Sequence, residues 1–313
     1  MSTPIDQNPN PRPLQKRRKR KNYGEPRRRS FSIFDRQRKI ISHAWMGVLT
    51  GLSMIAIAPL FFIFAYAVYR GAPGLNFEFF TEIPKSMGES GGGMSNAIVG
   101  SAILLALACA VGVPWGILTG IYLAEYKDGF TTRFLRFMTD LLTSVPSIII
   151  GLFVYALLVV PFHGYSAYAG GVSLAIIIVP IVARTTEEIL KLMPVHIREA
   201  GLALGLPRWK VILRIVLPGS LGGVMTGLML AIARVAGETA PLLFTSFSNN
   251  FGFRGLSQPT ASLPVQIFNF ATSHDDIWRQ KAWTGALVLV LFVFILNLST
   301  RLLLARRGSR PSS

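Results

Sequence analysis

The chain contains a single cysteine, Cys109, set in an apolar run, so neither a disulfide framework nor a cysteine-based metal site can be built from it. Cysteine usage therefore leaves the redox compartment open. Histidine is almost as scarce: His43, His163, His196 and His274 are scattered without metal-ligand spacing and read as loop or interfacial residues. His274-Asp275-Asp276 is a conceivable cation grouping, but further ligands near it are missing, and no metal is expected. None of the nine lysines follows a glycine, so the phosphate-cradling pattern G-x-x-x-x-G-K-[ST] is absent. With no nucleophile elbow or redox motif either, no catalytic residue is expected, and any energy source must lie on another chain.

Apolar residues and positive charge are what the chain has in quantity. Of 313 residues, 51% are hydrophobic, and 32 Lys and Arg stand against 15 Asp and Glu. Such a chain is too apolar for an ordinary soluble globule. A membrane span needs roughly 20 apolar residues, and six runs qualify, at about 44–69, 97–124, 137–160, 171–190, 216–247 and 283–304. The first continues for roughly 25 residues, beyond the ~7 to 15 of a signal-peptide core, so it reads as a retained helix. The expected fold is all-α, a polytopic transmembrane helical bundle of six spans. One leading helix precedes a five-helix unit.

Residues 1–43 hold 13 of the 32 basic side chains, including KRRKRK at 16–21 and RRR at 27–29. Nucleic acid would suit such a tail, but a disordered cytoplasmic segment that sets topology and brushes anionic lipid is the plainer reading. No nucleic-acid partner is expected. The tail, the loops 125–136 and 191–215 and the C-terminus from Arg301 together hold 25 basic residues; the segments 70–96, 161–170 and 248–282 hold 5. By the positive-inside rule both termini face the cytoplasm. The expected organisation is a basic tail (1–43), a first helix with an external linker (44–96), a membrane domain (97–305) containing the loop 191–215, and a short cytoplasmic C-terminus (306–313).

Inside the fifth span, AIARVAGETAPLLFT (231–245) places Arg234 near the middle, where a charge costs from ~2.5 to above 10 kcal/mol. Glu238 follows one helical turn later, on the same face of a continuous helix and within pairing distance. Pro241 removes the donor that the Gly237 carbonyl would use, so a kink or opening is expected beside the pair. Ionisable groups beside a midplane helix break mark a substrate pathway, although a purely structural tie to a neighbouring helix fits the same residues. Arg184, toward the cytoplasmic end of span four, fits an anchor as well as a pathway, while Glu187 and Glu188 are expected to be solvated. Asp140 suits a helix-dipole partner near the start of span three or a functional acid. Pro146, in TSVPSIIIGLF, is expected to kink that span.

Between spans four and five runs VHIREAGLALGLPRWKVILRIVLPG (195–219). A helix is expected over 196–205, stopped by Gly205-Leu206-Pro207. Short, with small residues on it, that helix is suited to docking in a partner's groove. Glu199, Ala200 and Gly201, then Gly205 after three residues, then Ile215-Val216-Leu217-Pro218 after nine more, resemble the EAA motif of ABC importer permeases. The departure is Gly201, where the family pattern has alanine. The blocks IVARTTEEILKLMP (181–194), TGLMLAIARVAGETAPLLFT (226–245) and LPVQIFNFA (263–271) are similar, in the same order, to the A-type permease of phosphate importers. The resemblance covers about 45–305 and leaves the basic tail out.

That resemblance implies a binding-protein-dependent permease in a bacterial plasma (inner) membrane. It implies a homologous C-type permease, two copies of an ABC ATPase that uses ATP and Mg, and an extracytoplasmic phosphate-binding protein; this chain is expected to bind no cofactor. It implies a coupling helix around Glu199, Ala200, Gly201 and Gly205, and a substrate pathway at Arg234, Glu238, Arg184 and Thr239 with helix irregularities at Pro146, Gly237 and Pro241. Arginine suits an oxyanion through bidentate hydrogen bonds. An ionised Glu238 would accept the proton that phosphate retains and sulfate lacks. The same fold moving sulfate, molybdate or a phosphonate, with selectivity set by the binding protein, and a membrane scaffold or sensor are the competing readings.

Overall fold

The computed structural model describes residues 33–126 and 129–308, and every regular element among them is helical. The basic stretches at 16–21 and 27–29, and the tail reading built on them, lie outside the described residues. The chain divides between Leu60 and Phe61 into two units. In the first, the described part is the start of helix α1 (Ile33–Gly71), whose Leu49, Ile55 and Leu60 are all exposed. An apolar surface of that kind suits a lipid solvent.

In the second unit, α2 (Phe77–Thr81) leads to α3 (Ser95–Glu125), α4 (Phe130–Ser144) and α5 (Ser147–Val154), the last extended by a π-turn at Tyr155–Val159. Then come α6 (Ala167–Lys191), α7 (Val195–Ala203), α8 (Arg208–Val211), α9 (Leu217–Ala236), α10 (Ala240–Thr245), α11 (Leu263–Ala271) and α12 (Asp276–Gly308). Five continuous helical stretches are long and apolar enough to cross a membrane, and α4 with α5 makes a sixth if the bent pair counts as one span.

Two of the expected spans are broken. The third bends by 104° between α4 and α5. Its cause is local: the ring of Pro146 bars Val145 from the helical region, and Val145 sits at φ −70, ψ 129. The stretch 125–136, expected to be a loop, is helical from Phe130 because apolar Phe130, Phe134 and Phe137 recur at helical spacing. The fifth stretch, expected over 216–247 with a kink or opening at Gly237 and Pro241, is fully interrupted there: it ends at Ala236 with Gly237 as its cap and restarts at Ala240 with Pro241 in the first turn.

The centre of the fold is the contact between α3 and α6. Gly112, Gly116 and Gly120 follow one another at four-residue spacing on the buried face of α3. A Cβ at Gly116 would stand 2.7 Å from Val182 Cβ, and one at Gly120 would stand 2.6 Å from both Thr186 Cβ and the Ala183 carbonyl. With no side chain there the backbones approach closely, which is how helices associate where lipid removes the hydrophobic drive. Leu104, Leu174, Ile178, Leu228, Val235 and Leu242 close the core around this seam.

Candidate functional site

The two helix breaks meet. Gly151 on α5 lies so close to α10 that a Cβ there would be 2.6 Å from Pro241 Cα. Beside this contact a cleft of about 150 Å³ is lined by Pro146, Ser147, Ile150, Pro180, Arg234 and Glu238, among others. Helix α5 begins at Ser147, on the cleft wall, so the positive end of its dipole lies there. The arrangement offers a guanidinium, a hydroxyl and a helix N-terminus to an anion, with one carboxylate opposite in sign.

Arg234 and Glu238 share this cleft, but they do not form the ion pair expected of them: no salt bridge joins them among the described residues. The four-residue spacing presupposes a continuous helix, and α9 stops at Ala236, with the Gly237 N–H turned to the Arg234 carbonyl at 3.2 Å. Arg234 is exposed on the isolated chain and Glu238 half-buried. Their charges are thus available to a solute or a second subunit.

Arg184 and Thr239 do not line the cleft. Arg184 donates to Asp140 at 2.9 Å and to Glu188 at 3.0 Å, tying α4 to α6. Asp140 is accordingly a cross-helix partner rather than a helix-dipole residue. Glu187, expected to be solvated, is 3% exposed and takes Arg136 at 2.6 Å and Lys191 at 2.5 Å. It faces α4, whereas Glu188, one residue on, turns outward to Arg184.

At the far end of α6 the expected docking helix is present as α7. Gly205 adopts φ +77, and its N–H bonds the Leu202 carbonyl while Leu206 N–H reaches the Gly201 carbonyl. This is a glycine C-cap, as the Gly205-Leu206-Pro207 sequence implies. Gly201 is buried, with Val211 and Ile215 3.0–3.2 Å from where its Cβ would be. The family's third position therefore faces the membrane helices, and glycine there leaves the outward face untouched. That face presents Glu199 and Ala200 with Leu202 and Leu204, all exposed.

Arg198, not singled out from the sequence, fixes α7 in place. Its guanidinium donates to the Leu190 carbonyl at 2.8 Å, to the Met193 carbonyl at 2.7 Å and to Glu125 at 2.9–3.3 Å. At the end of α6 the Leu190 carbonyl already accepts from the Met193 N–H at 3.2 Å, and Arg198 adds a charged donor there and another at the Met193 carbonyl. It thereby joins α7 to the ends of both α3 and α6.

Residues 116–309 match the family described as binding-protein-dependent transport system inner membrane component. The chain belongs to that family. Over 249 residues this permease is 47% identical to the Yersinia pestis phosphate transport system permease protein PstA, covering 79% of this chain and 84% of that one. It is 42% identical over 262 residues to the Haemophilus influenzae PstA protein, covering 82% and 92%, and 37% identical over 264 residues to that of Mycobacterium leprae, covering 82% and 87%. Its fold is shared with a chain of the inward-facing MetNI methionine ABC transporter (TM-score 0.56, 18% identity, 69% of this chain and 98% of that). A bacterial alginate ABC transporter shows the same fold (TM-score 0.56, 14% identity, 90% and 98%). The family match begins at Gly116 and so takes in both helix breaks and α7.

Proposed function

We propose that this permease forms half of the translocation pathway of an ATP-driven importer of inorganic phosphate. The observation that carries the reading is the cleft in which Arg234 and Glu238 lie at one helix break and Pro146 and Ser147 at the other, in a chain 42% and 47% identical to two phosphate permeases. Guanidinium, hydroxyl and helix N-terminus are the groups that hold an oxyanion. Glu238 lowers the local positive field, so that the anion is passed on rather than trapped.

The rest of the machine comes from other chains. A homologous C-type permease covers the exposed Arg234 and completes the path; an extracytoplasmic phosphate-binding protein delivers the anion; two ATPase copies, using ATP and Mg, seat on α7. The basic ends of the chain, and with them α7, face the cytoplasm. ATP-driven closure of the ATPases moves α7, and through Arg198 that motion reaches α3 and α6. Because α9 and α10 are separate pieces, the path past Arg234 opens by rocking at Gly237 rather than by bending an intact helix.

The test is ATP-dependent uptake of radiolabelled phosphate into vesicles holding the full complex, wild type against Arg234→Gln, with excess sulfate as competitor. Uptake that resists sulfate and collapses in the variant, with assembly intact, is the expected result. Unchanged uptake in the variant makes Arg234 structural. Uptake of sulfate in place of phosphate moves the cargo to another oxyanion.

A further inference from the structure

A second cavity, of about 520 Å³, lies between the segment after α10, α11 and the start of α12. It belongs to the opposite end of the molecule from α7. The backbone N–H groups of Ala167 and Tyr168, at the start of α6, bond to the Gln258 and Leu256 carbonyls of that segment, whereas α7 follows the other end of α6.

The lining is rich in donors and includes no carboxylate. Arg254 supplies the charge, its guanidinium held 5.1 Å over the ring of Phe251. Asn250, Gln258 and Asn269 line the cavity, and their side chains have no hydrogen-bond partner among the described residues. Two further donors lie in the wall. Gln266 is 1% exposed; its Oε1 accepts from Asn96 Nδ2 at 3.0 Å, and that same nitrogen donates to the Asn249 carbonyl at 2.6 Å. A carbonyl can only accept, so this network orients both amides and leaves Gln266 Nε2 buried without an acceptor. Trp278 Nε1 is in the same condition. Buried donors are nearly always satisfied in folded proteins, but these two have essentially no accessible surface, so the groups open to a solute in the cavity are the exposed side chains of Arg254, Asn250, Gln258 and Asn269. Phe247, on the rim, holds φ 60, a strained value for an aromatic residue.

We propose that this cavity is a receiving site for a tetrahedral oxyanion, bound by Arg254 and the surrounding amides before it reaches the Arg234 cleft. The cargo's identity rests on the phosphate reading above; the site itself rests on the lining. Only α10, six residues and so about 9 Å long, separates the Glu238 break from Phe247. With no carboxylate to repel a fully ionised anion, the cavity takes phosphate and sulfate alike, and discrimination falls to the cleft that contains Glu238.

The test is labelling of Arg254 by phenylglyoxal in the assembled transporter in nanodiscs, without ATP or binding protein, read peptide by peptide by mass spectrometry. Saturating inorganic phosphate is expected to slow modification of Arg254 by about tenfold, sulfate to protect at concentrations within about threefold, and chloride at equal ionic strength to have no effect. Replacing Gln258 and Asn269 together by Leu should raise the phosphate concentration needed by about tenfold, with labelling in the absence of phosphate unchanged. Equal labelling with and without phosphate, or equal protection by chloride, overturns the site while leaving the phosphate reading standing if uptake persists. Protection of Arg254 in a complex that transports no phosphate upholds the site and overturns the cargo.

Discussion

Gly151 has no side chain where Pro241 passes, and a methyl group added there would stand 2.6 Å from the Pro241 Cα. The obstacle is backbone, which cannot swing aside as a flexible side chain would. Gly151→Ala should therefore force α5 and α10 apart, at the ~1–3 kcal/mol typical of overpacking. Because these two helices begin at the breaks that frame the cleft, ATP-dependent uptake should fall at least tenfold while the complex still assembles. Uptake within twofold of wild type would show that the breaks need not touch.

Arg198 is expected to act on coupling rather than on transport chemistry, because it lies on α7 and bonds the ends of α3 and α6, not the cleft. Its pair with Glu125 is half-buried, at 18% and 13% exposed, so removing Arg198 leaves Glu125 and two backbone carbonyls without their charged donor. Arg198→Ala should leave ATP hydrolysis by the assembled complex in place and cut uptake per ATP by tenfold or more. Arg198→Lys should not restore it, since an ammonium cannot span two carbonyls and a carboxylate as the planar guanidinium does. Hydrolysis and uptake falling in strict proportion would refute the coupling role.

Much of this was legible in the residues, and the failures share one cause. Apolar runs located the membrane helices, and Gly205-Leu206-Pro207 located the end of α7. Arg234 and Glu238 were assigned to one helix face from their spacing, yet Gly237 and Pro241, singled out in the same reading, end the helix between them. Periodicity is evidence about a face only while the helix continues. Glu187 was misjudged for a related reason: its buried setting depends on Arg136, 51 residues away in sequence, and no local pattern announces a partner so distant. The four-residue spacing of Gly112, Gly116 and Gly120 went unread in the sequence, although it is the one signal there for the close contact of α3 with α6.

Asp275 supplies a pH dependence outside the membrane helices. Its carboxylate accepts from Gly88 N–H at 2.7 Å, from Ile277 N–H at 2.7 Å and from Trp278 N–H at 3.3 Å. These bonds favour the ionised form, the one from Gly88 most, and hold the carboxyl below its ordinary value of 3.8. A carboxyl lowered in the folded state stabilises fully above its unfolded value, and that contribution is lost as pH falls through the folded value. Protease resistance of the 85–93 segment should hold down to about pH 4 and drop below it. In Asp275→Asn the segment should be more sensitive at neutral pH and the acid step should flatten. An unaltered acid step in the variant would assign it to another carboxyl.

Glu238 should decide which anion passes. Near neutral pH phosphate retains a proton and can donate to an ionised carboxylate, whereas sulfate meets the same carboxylate with only negative oxygens. A site built to accept an O–H rejects the analogue lacking it by leaving its own group unpaired, a discrimination that reaches ~10⁴ in favourable cases. Glu238 is placed for this because it lines the cleft with Arg234 without being neutralised by it. Glu238→Gln keeps the shape and a carbonyl acceptor but removes the negative charge, so the repulsion of sulfate should go while phosphate is still held. In vesicles carrying the complete transporter, excess sulfate should then inhibit phosphate uptake at least tenfold more strongly than in wild type. Sulfate exclusion unchanged by the substitution would move selectivity away from this carboxylate and onto the binding protein that loads the path.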